Sequence, residues 1–297
     1  MSTLRIGTRG SKLALTQTGL VADRLRAAHP ELAIEVVTIA TAGDRDQSTP
    51  LSSGEGTGWF TTAIQEALSA GDIDVAVHSY KDLPTRRPEG LIIAAVPLRE
   101  DPRDALVSRH PGGLLGLPPG AVVGTSSPRR EAQVREVRPD LEVRAIRGNV
   151  ETRVARIDAG EFDAAVLALA GLRRLGIEGR AGHVFGFEEM LPAPAQGALA
   201  VECRAADAAT RHVLDAIDDP DIRAAVTAER AFLATIDGGC SFPAAAHATQ
   251  FGTTLKLNAL IAVEGRIIRS KMAGPAETAA GLGRALAGEL MELGAIR

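Results

Sequence analysis

The sequence predicts an α/β protein of more than one domain that ends in a smaller α+β unit. Strand-like and helix-like periods alternate along most of the chain. Its 297 residues exceed what one hydrophobic core usually supports. The last quarter gives up the alternation for a hairpin pattern. Hydrophobic residues at 45% and charged residues at 24% leave enough apolar side chain for a sizeable core and no tract biased toward disorder.

Leu4 to Gly7 reads as a strand, and Leu13, Gln17, Leu20, Val21 and Leu25 lie along one helical face until Pro30 ends the run. Residues 33–40 alternate as a second strand. The polar, Gly-rich stretch from Thr41 to Gly58 is long for an internal loop and is expected to be functional or mobile. A helix from Trp59 to Ala70 and a buried strand from Ile73 to His78 lead into Ser79-Tyr80-Lys81-Asp82-Leu83-Pro84, and Leu91 to Val96 forms another strand. Pro97 to Asp104, with two prolines and five charges, reads as a linker.

The second unit repeats one pattern three times. Ala121 to Gly124, Glu142 to Ile146 and Asp163 to Ala168 are strands, each followed by a polar or Gly-containing turn and a helix. Gly197 to Cys203 then reads as a strand returning to the first unit's sheet. In the third unit a long helix, Ile222 to Ile236, ends in Asp237-Gly238-Gly239-Cys240-Ser241. Leu255 to Val263 and Arg266 to Met272 form a hairpin around Glu264-Gly265, and Glu277 to Leu293 is a closing helix. The expected domains are residues 1–97 with 198–216, residues 103–192, and residues 220–297.

A formal net charge of -4 argues against a nucleic-acid binder. The longest apolar stretch, Ala164 to Leu172, is too short to span a bilayer, and no secretory h-region opens the chain. A cytoplasmic, monomeric protein with Cys203 and Cys240 reduced is the expectation. The two cysteines have no metal-site spacing, and no P-loop or dinucleotide fingerprint is present.

Of 33 basic side chains only Lys12, Lys81, Lys256 and Lys271 are lysine, and several arginines follow strands, where open α/β sheets bind ligands. Ser127 is the expected N-cap of a helix with Pro128 at its first position, which puts Arg129 and Arg130 in the first turn, opposing the helix dipole. An anion should compensate them, and their replacement by Leu is expected to leave folding intact. Arg147 precedes a helix expected to start at Asn149, with Arg153 inside it; Arg9 and Arg174 follow other strands. Together these turns predict a polyanion site. Asp82, next to Lys81, is the lone carboxylate among them, read either as a turn residue or as a stabiliser of developing positive charge. His78 belongs to the strand pattern and reads as core or as support for the site. Cys240, in a Gly-Gly-Cys-Ser turn, is a candidate covalent attachment point, whereas Cys203 sits in an alternating strand and reads as inert.

Gly7-Thr8-Arg9-Gly10-Ser11, Ala76 to Pro84, Arg99-Glu100-Asp101-Pro102-Arg103-Asp104, Gly124-Thr125-Ser126-Ser127-Pro128-Arg129-Arg130, Arg147-Gly148-Asn149-Val150, Gln196-Gly197 and Gly238-Gly239-Cys240 resemble, in order, the porphobilinogen deaminase family. The resemblance implies three domains, the first two like a two-lobed periplasmic binding protein. It implies a dipyrromethane cofactor bound through a thioether to Cys240 and porphobilinogen as substrate. Ammonia loss gives an electrophilic azafulvene that the growing chain attacks; four rounds and hydrolysis yield hydroxymethylbilane. By the same resemblance Asp82 is catalytic, and Ser11, Lys81, Asp82, Thr125, Ser126, Ser127, Arg129, Arg130, Arg147 and Gly148 hold the cofactor. Arg9, Ser11, Arg147, Arg153, Arg174 and Gln196 bind substrate.

One departure stands out. Where the family usually has Gly-Gly-Lys-Gly-Leu-Phe and then Lys-Glu, this chain has Gly54-Glu55-Gly56-Thr57-Gly58-Trp59-Phe60 and then Thr62-Ala63, so Thr57 lacks the usual positive charge. A two-lobed solute-binding or effector-sensing module and a catalytically dead relative are the rival readings.

Overall fold

The computed structural model describes residues 3–41, 61–236 and 242–294; the long Gly-rich loop with Thr57, and the turn carrying Cys240, lie outside the described residues. The chain forms two compact units, Met1–Glu100 with Ala198–Arg223, and Asp101–Gly197 with Ala224–Arg297. Its described strands form three sheets.

In the first unit, β1 (Thr3–Thr8) leads into α1 (Lys12–Ala28) through a turn in which the Ser11 hydroxyl caps the helix, accepting from the Ala14 N–H at 3.3 Å. The helix stops at His29, ahead of Pro30. Thr18, Val21, Ala22 and Leu25 form its buried stripe. Leu20, expected there, is 38% exposed because it lies across the helix from that line. β2 (Ala33–Thr38), α2 (Thr62–Ala70), β3 (Val75–Ser79), a 3-10 turn (Tyr80–Asp82) and β4 (Leu91–Ala95) follow.

In the second unit come β5 (Asp104–Ser108), β6 (Val122–Gly124), α3 (Pro128–Val137), β7 (Glu142–Arg144), α4 (Val150–Asp158), β8 (Ala164–Ala168), α5 (Leu169–Arg174) and β9 (His183–Val184). The chain then returns as β10 (Leu199–Arg204), which lies between β3 and β4 and antiparallel to both, and continues into α6 (Ala208–Asp215).

The two α/β sheets share one plan. The first runs β2-β1-β3-β10-β4 and the second β7-β6-β8-β5-β9, each with three parallel strands beside an antiparallel one. That antiparallel strand is in both cases the first after the chain crosses from the other unit. Asp104 therefore opens a strand, pairing with Ala168, and is not the end of a linker. The charges that made the stretch look like a linker are absorbed locally: Asp101 forks onto Arg103 at 2.6 Å and stands 3.5 Å from Arg173.

The C-terminal part packs α7 (Pro220–Thr235) and α8 (Ala279–Gly294) against the antiparallel sheet β11 (Ala244–Phe251), β12 (Thr254–Val263) and β13 (Arg266–Pro275). Phe232, Leu255, Leu257, Leu286 and Leu290 form its dry centre. The helices touch at Gly283, where a Cβ would stand 2.2 Å from the Ala228 carbonyl oxygen and 2.8 Å from the Phe232 nitrogen. Neither backbone atom can yield without moving a helix. Gly283→Ala is expected to lower unfolding stability by about 1–3 kcal/mol, read from a urea titration, despite alanine's better helix propensity.

Candidate active site

A pocket opens beyond the carboxyl ends of β1 and β3. Arg9, Ser11, Gln17, Thr61, His78, Ser79 and Asp82 line it, against an apolar wall of Leu13, Ala14, Ile64 and Val77. The strand ends put Arg9 and Ser11 on one side, and the 3-10 turn after β3 brings the exposed Asp82 to the rim. Lys81 precedes it, half-buried. Gln17 and Ser79 brace α1 to β3 through their side chains at 2.8 and 3.2 Å. Gln17, Thr61 and Ser79 were not among the expected site residues. The available signal was Gln17 itself, a polar residue within a helical stripe otherwise apolar.

The second unit carries the other arginine turns. After β6, the Thr125 hydroxyl accepts from the Ser127 N–H at 3.2 Å, and the Ser126 hydroxyl donates to the Ile146 carbonyl at 2.9 Å. α3 and α4 begin at Ser127 and Asn149, with Pro128 at the first helical position of α3, but neither cap side chain bonds its helix. Between the helices, Gly148 has φ +105°, and a Cβ there would stand 2.8 Å from the Thr152 methyl, so the turn requires glycine. Its carbonyl accepts from Arg153 Nε at 2.8 Å. Arg174 donates to the Gly197 carbonyl at 2.6 Å. Arg147 Nη1 is buried with no hydrogen-bond partner.

Arg129 and Arg130 need a correction. They are 4% and 7% exposed, and both bond the fully buried Asp104, at 2.7 Å each. Arg129 also donates to the Leu191 carbonyl at 2.8 Å and Arg130 to the Val166 carbonyl at 2.9 Å. The anion that compensates this helix N-terminus thus comes from the chain itself. Burial alone would raise the Asp104 pKa, but the two guanidinium groups hold it far below the usual carboxylate range, while burial pushes that of Arg129 down. The Nε of Arg129 still lacks an acceptor.

Gln196 is fully buried, and its amide nitrogen donates to the Pro102 carbonyl at 2.7 Å and to Asp104 at 2.9 Å, which makes it part of this cluster. The neighbouring Ala195, at φ +61°, donates its N–H to the buried Glu229 carboxylate at 2.6 Å.

Cys203 is buried, and that burial, with Asp207 nearby, pushes its thiol up to about 11, so it is inert near neutral pH. No described helix is long and apolar enough to cross a membrane.

Comparison with known proteins gives a consistent result. Residues 4–212 match the family model for the porphobilinogen deaminase dipyromethane cofactor binding domain, and residues 223–292 match that for the porphobilinogen deaminase C-terminal domain. The porphobilinogen deaminase of Roseiflexus castenholzii is 48% identical, with 99% of this chain and 97% of that protein aligned. That of Mycolicibacterium paratuberculosis is 50% identical, covering 98% of this chain and 95% of that protein. Among solved structures, the methionine-binding protein MetQ is 15% identical with a TM-score of 0.48, over 75% of this chain and 92% of that one. The chain belongs to the porphobilinogen deaminase family.

Proposed function

We propose that this chain is a working porphobilinogen deaminase. It condenses four porphobilinogen molecules head to tail on a covalent dipyrromethane primer, releasing ammonia at each step and hydroxymethylbilane at the end. The observation that carries this reading is the pocket in which Arg9, Ser11 and Asp82 come together at the ends of two parallel strands.

Each pyrrole ring of substrate or primer bears an acetate and a propionate. The protein meets such groups with cations and open donors. Buried donors without acceptors are costly, and carboxylate oxygens satisfy them best when the donor is charged. Arg147 Nη1 and Arg129 Nε are such donors, so the residues present fit the primer. Ser11, Lys81, Thr125, Ser126, Ser127, Arg147 and Gly148 would hold it, with Arg129 contributing through Nε and Arg130 acting from behind through Asp104. When bound, the primer supplies the nucleophilic ring carbon and an anchor on Cys240.

Arg9, Ser11, Arg147, Arg153 and Arg174 would bind the incoming substrate's carboxylates. Asp82 would accept a pyrrole N–H and offset the positive charge that develops as ammonia leaves, which is where a fixed carboxylate acts most strongly. The division into residues 1–97 with 198–216, 103–192 and 220–297, a monomeric state, a cytoplasmic location and no nucleic-acid partner complete the reading. Its basis is the sheet arrangement and the mildly acidic charge.

Intact mass of protein from a tetrapyrrole-making host tests this directly. The expected gain equals two porphobilinogens less two ammonias, on the peptide containing Cys240. An adduct on Cys203, or none on freshly purified active protein, contradicts it. A solute-binding module would carry no adduct at all.

A further inference from the structure

An acid pair that the mechanism above leaves unused lies against the same pocket. Glu202, on β10, is fully buried. Gln65, on α2, donates its amide to both carboxylate oxygens at 3.1 Å. The other polar group on this carboxylate is His78, on β3, whose Nε2 stands 3.3 Å from Oε2, an ion-pair distance at an angle outside hydrogen-bond geometry. No lysine or arginine pairs with Glu202 among the described residues.

The surrounding charges are accounted for. Asp74 is taken up by Arg5 and Arg204, Glu66 on α2 is exposed, α1 contributes the neutral Gln17, and β4 has no titratable residue. Arg9 and Asp82 line the pocket with His78. A dry carboxylate held by a single amide is unfavourable by several kcal/mol. Among the described residues the imidazole is the other side chain placed to offer it an N–H. A carboxylate behind one ring nitrogen also selects the tautomer and leaves the other nitrogen as a base.

We infer that Glu202 fixes His78 with its proton on Nε2, leaving the Nδ1 lone pair to serve the pocket as its proton carrier; this rests on the deaminase reading. Each condensation forms one carbon–carbon bond, breaks the carbon–nitrogen bond to the aminomethyl group and removes one proton from the attacking ring carbon. The protonated aminomethyl group first leaves as ammonia, taking the electron pair of its carbon–nitrogen bond; after the attack His78 takes the ring proton at Nδ1 as the attacking ring regains its electron pair, and gives it to that ammonia, which departs as ammonium. Atoms and charge balance without an oxidant. Glu202 acts through His78 and is a positioning residue.

Ring nitrogen spectra of the full-length wild-type protein, labelled with 15N-histidine and assigned with His78→Gln, read the tautomer without reference to turnover. Near neutral pH, Nε2 should carry the proton and Nδ1 should not; a protonated Nδ1 overturns the inference. Kinetics supply the second test. His78→Gln should lower kcat by about 100-fold with KM little changed. Glu202→Gln should lower kcat by about 10-fold or more with KM little changed, because the ring loses the carboxylate that fixes it. Glu202→Asp should recover part of the rate. Active wild type with both variants matching its kcat overturns the inference, whereas a wild type that makes no product at all sinks the deaminase reading and leaves the tautomer to decide this one.

Discussion

Asp82→Asn is expected to lower kcat by about 100-fold or more while KM changes little. The substitution keeps the side chain's size and an oxygen to accept a pyrrole N–H. It removes only the negative charge, which matters most when the carbon bearing the amino group becomes electron-poor. On the proposed reading substrate is held chiefly by arginines at other turns, so ground-state binding should survive. Asp82→Glu should keep part of the rate, since the charge remains but is displaced. The position at an exposed rim, at the end of a 3-10 turn, makes this a clean test, because neither change disturbs a buried contact. Steady-state porphobilinogen consumption decides among three results. A loss in kcat supports the electrostatic role, a rise in KM alone makes Asp82 a binding residue, and near-normal kinetics for the Asn variant removes it from the mechanism.

The sequence disclosed what is locally determined. Strands of β-branched residues ending at polar turns placed Arg9, Ser11, Asp82 and Arg147 at strand ends, and the Ser127-Pro128 pair marked a helix start. What stayed hidden depends on partners distant in the chain. Asp104 looked like part of a linker because prolines and charges surround it, and only its register against Ala168 buries it beside arginines 25 and 26 residues away. Once Asp104 is inside, Arg129 and Arg130 are drawn in with it. β11 was missed for a different reason: Ala244-Ala245-Ala246-His247-Ala248 has weak strand propensity, and ten-residue β12 imposes the conformation by pairing along its whole length. Glu202 was readable and overlooked, since a carboxylate in an otherwise apolar strand flanked by Val201 and Cys203 is itself a signal.

The burial of Asp104 changes what Arg129 and Arg130 should do when mutated. A surface cation at a helix start would be dispensable for folding. A guanidinium bonded to an enclosed carboxylate is not, because removing either sign leaves the other charge dry and unbalanced. Asp104→Asn or Arg130→Leu is therefore expected to lower unfolding free energy by about 3–5 kcal/mol, measured by denaturant titration. Replacing all three together, Asp104→Leu with Arg129→Met and Arg130→Met, should cost much less than Asp104→Asn, because no charge is stranded. That ordering separates a charge-balance role from simple loss of packing, under which the triple variant would be the worst. Acid adds a further signature. The Asp104 pKa is depressed in the folded protein, so its stabilising contribution is complete above the unfolded carboxylate range, about pH 4, and is lost as pH falls through the folded value. The wild type should therefore lose stability between about pH 4 and lower pH more steeply than the triple variant. Equal acid sensitivity, or a stable Asp104→Asn protein, would return Arg129 and Arg130 to the surface role that the sequence first suggested.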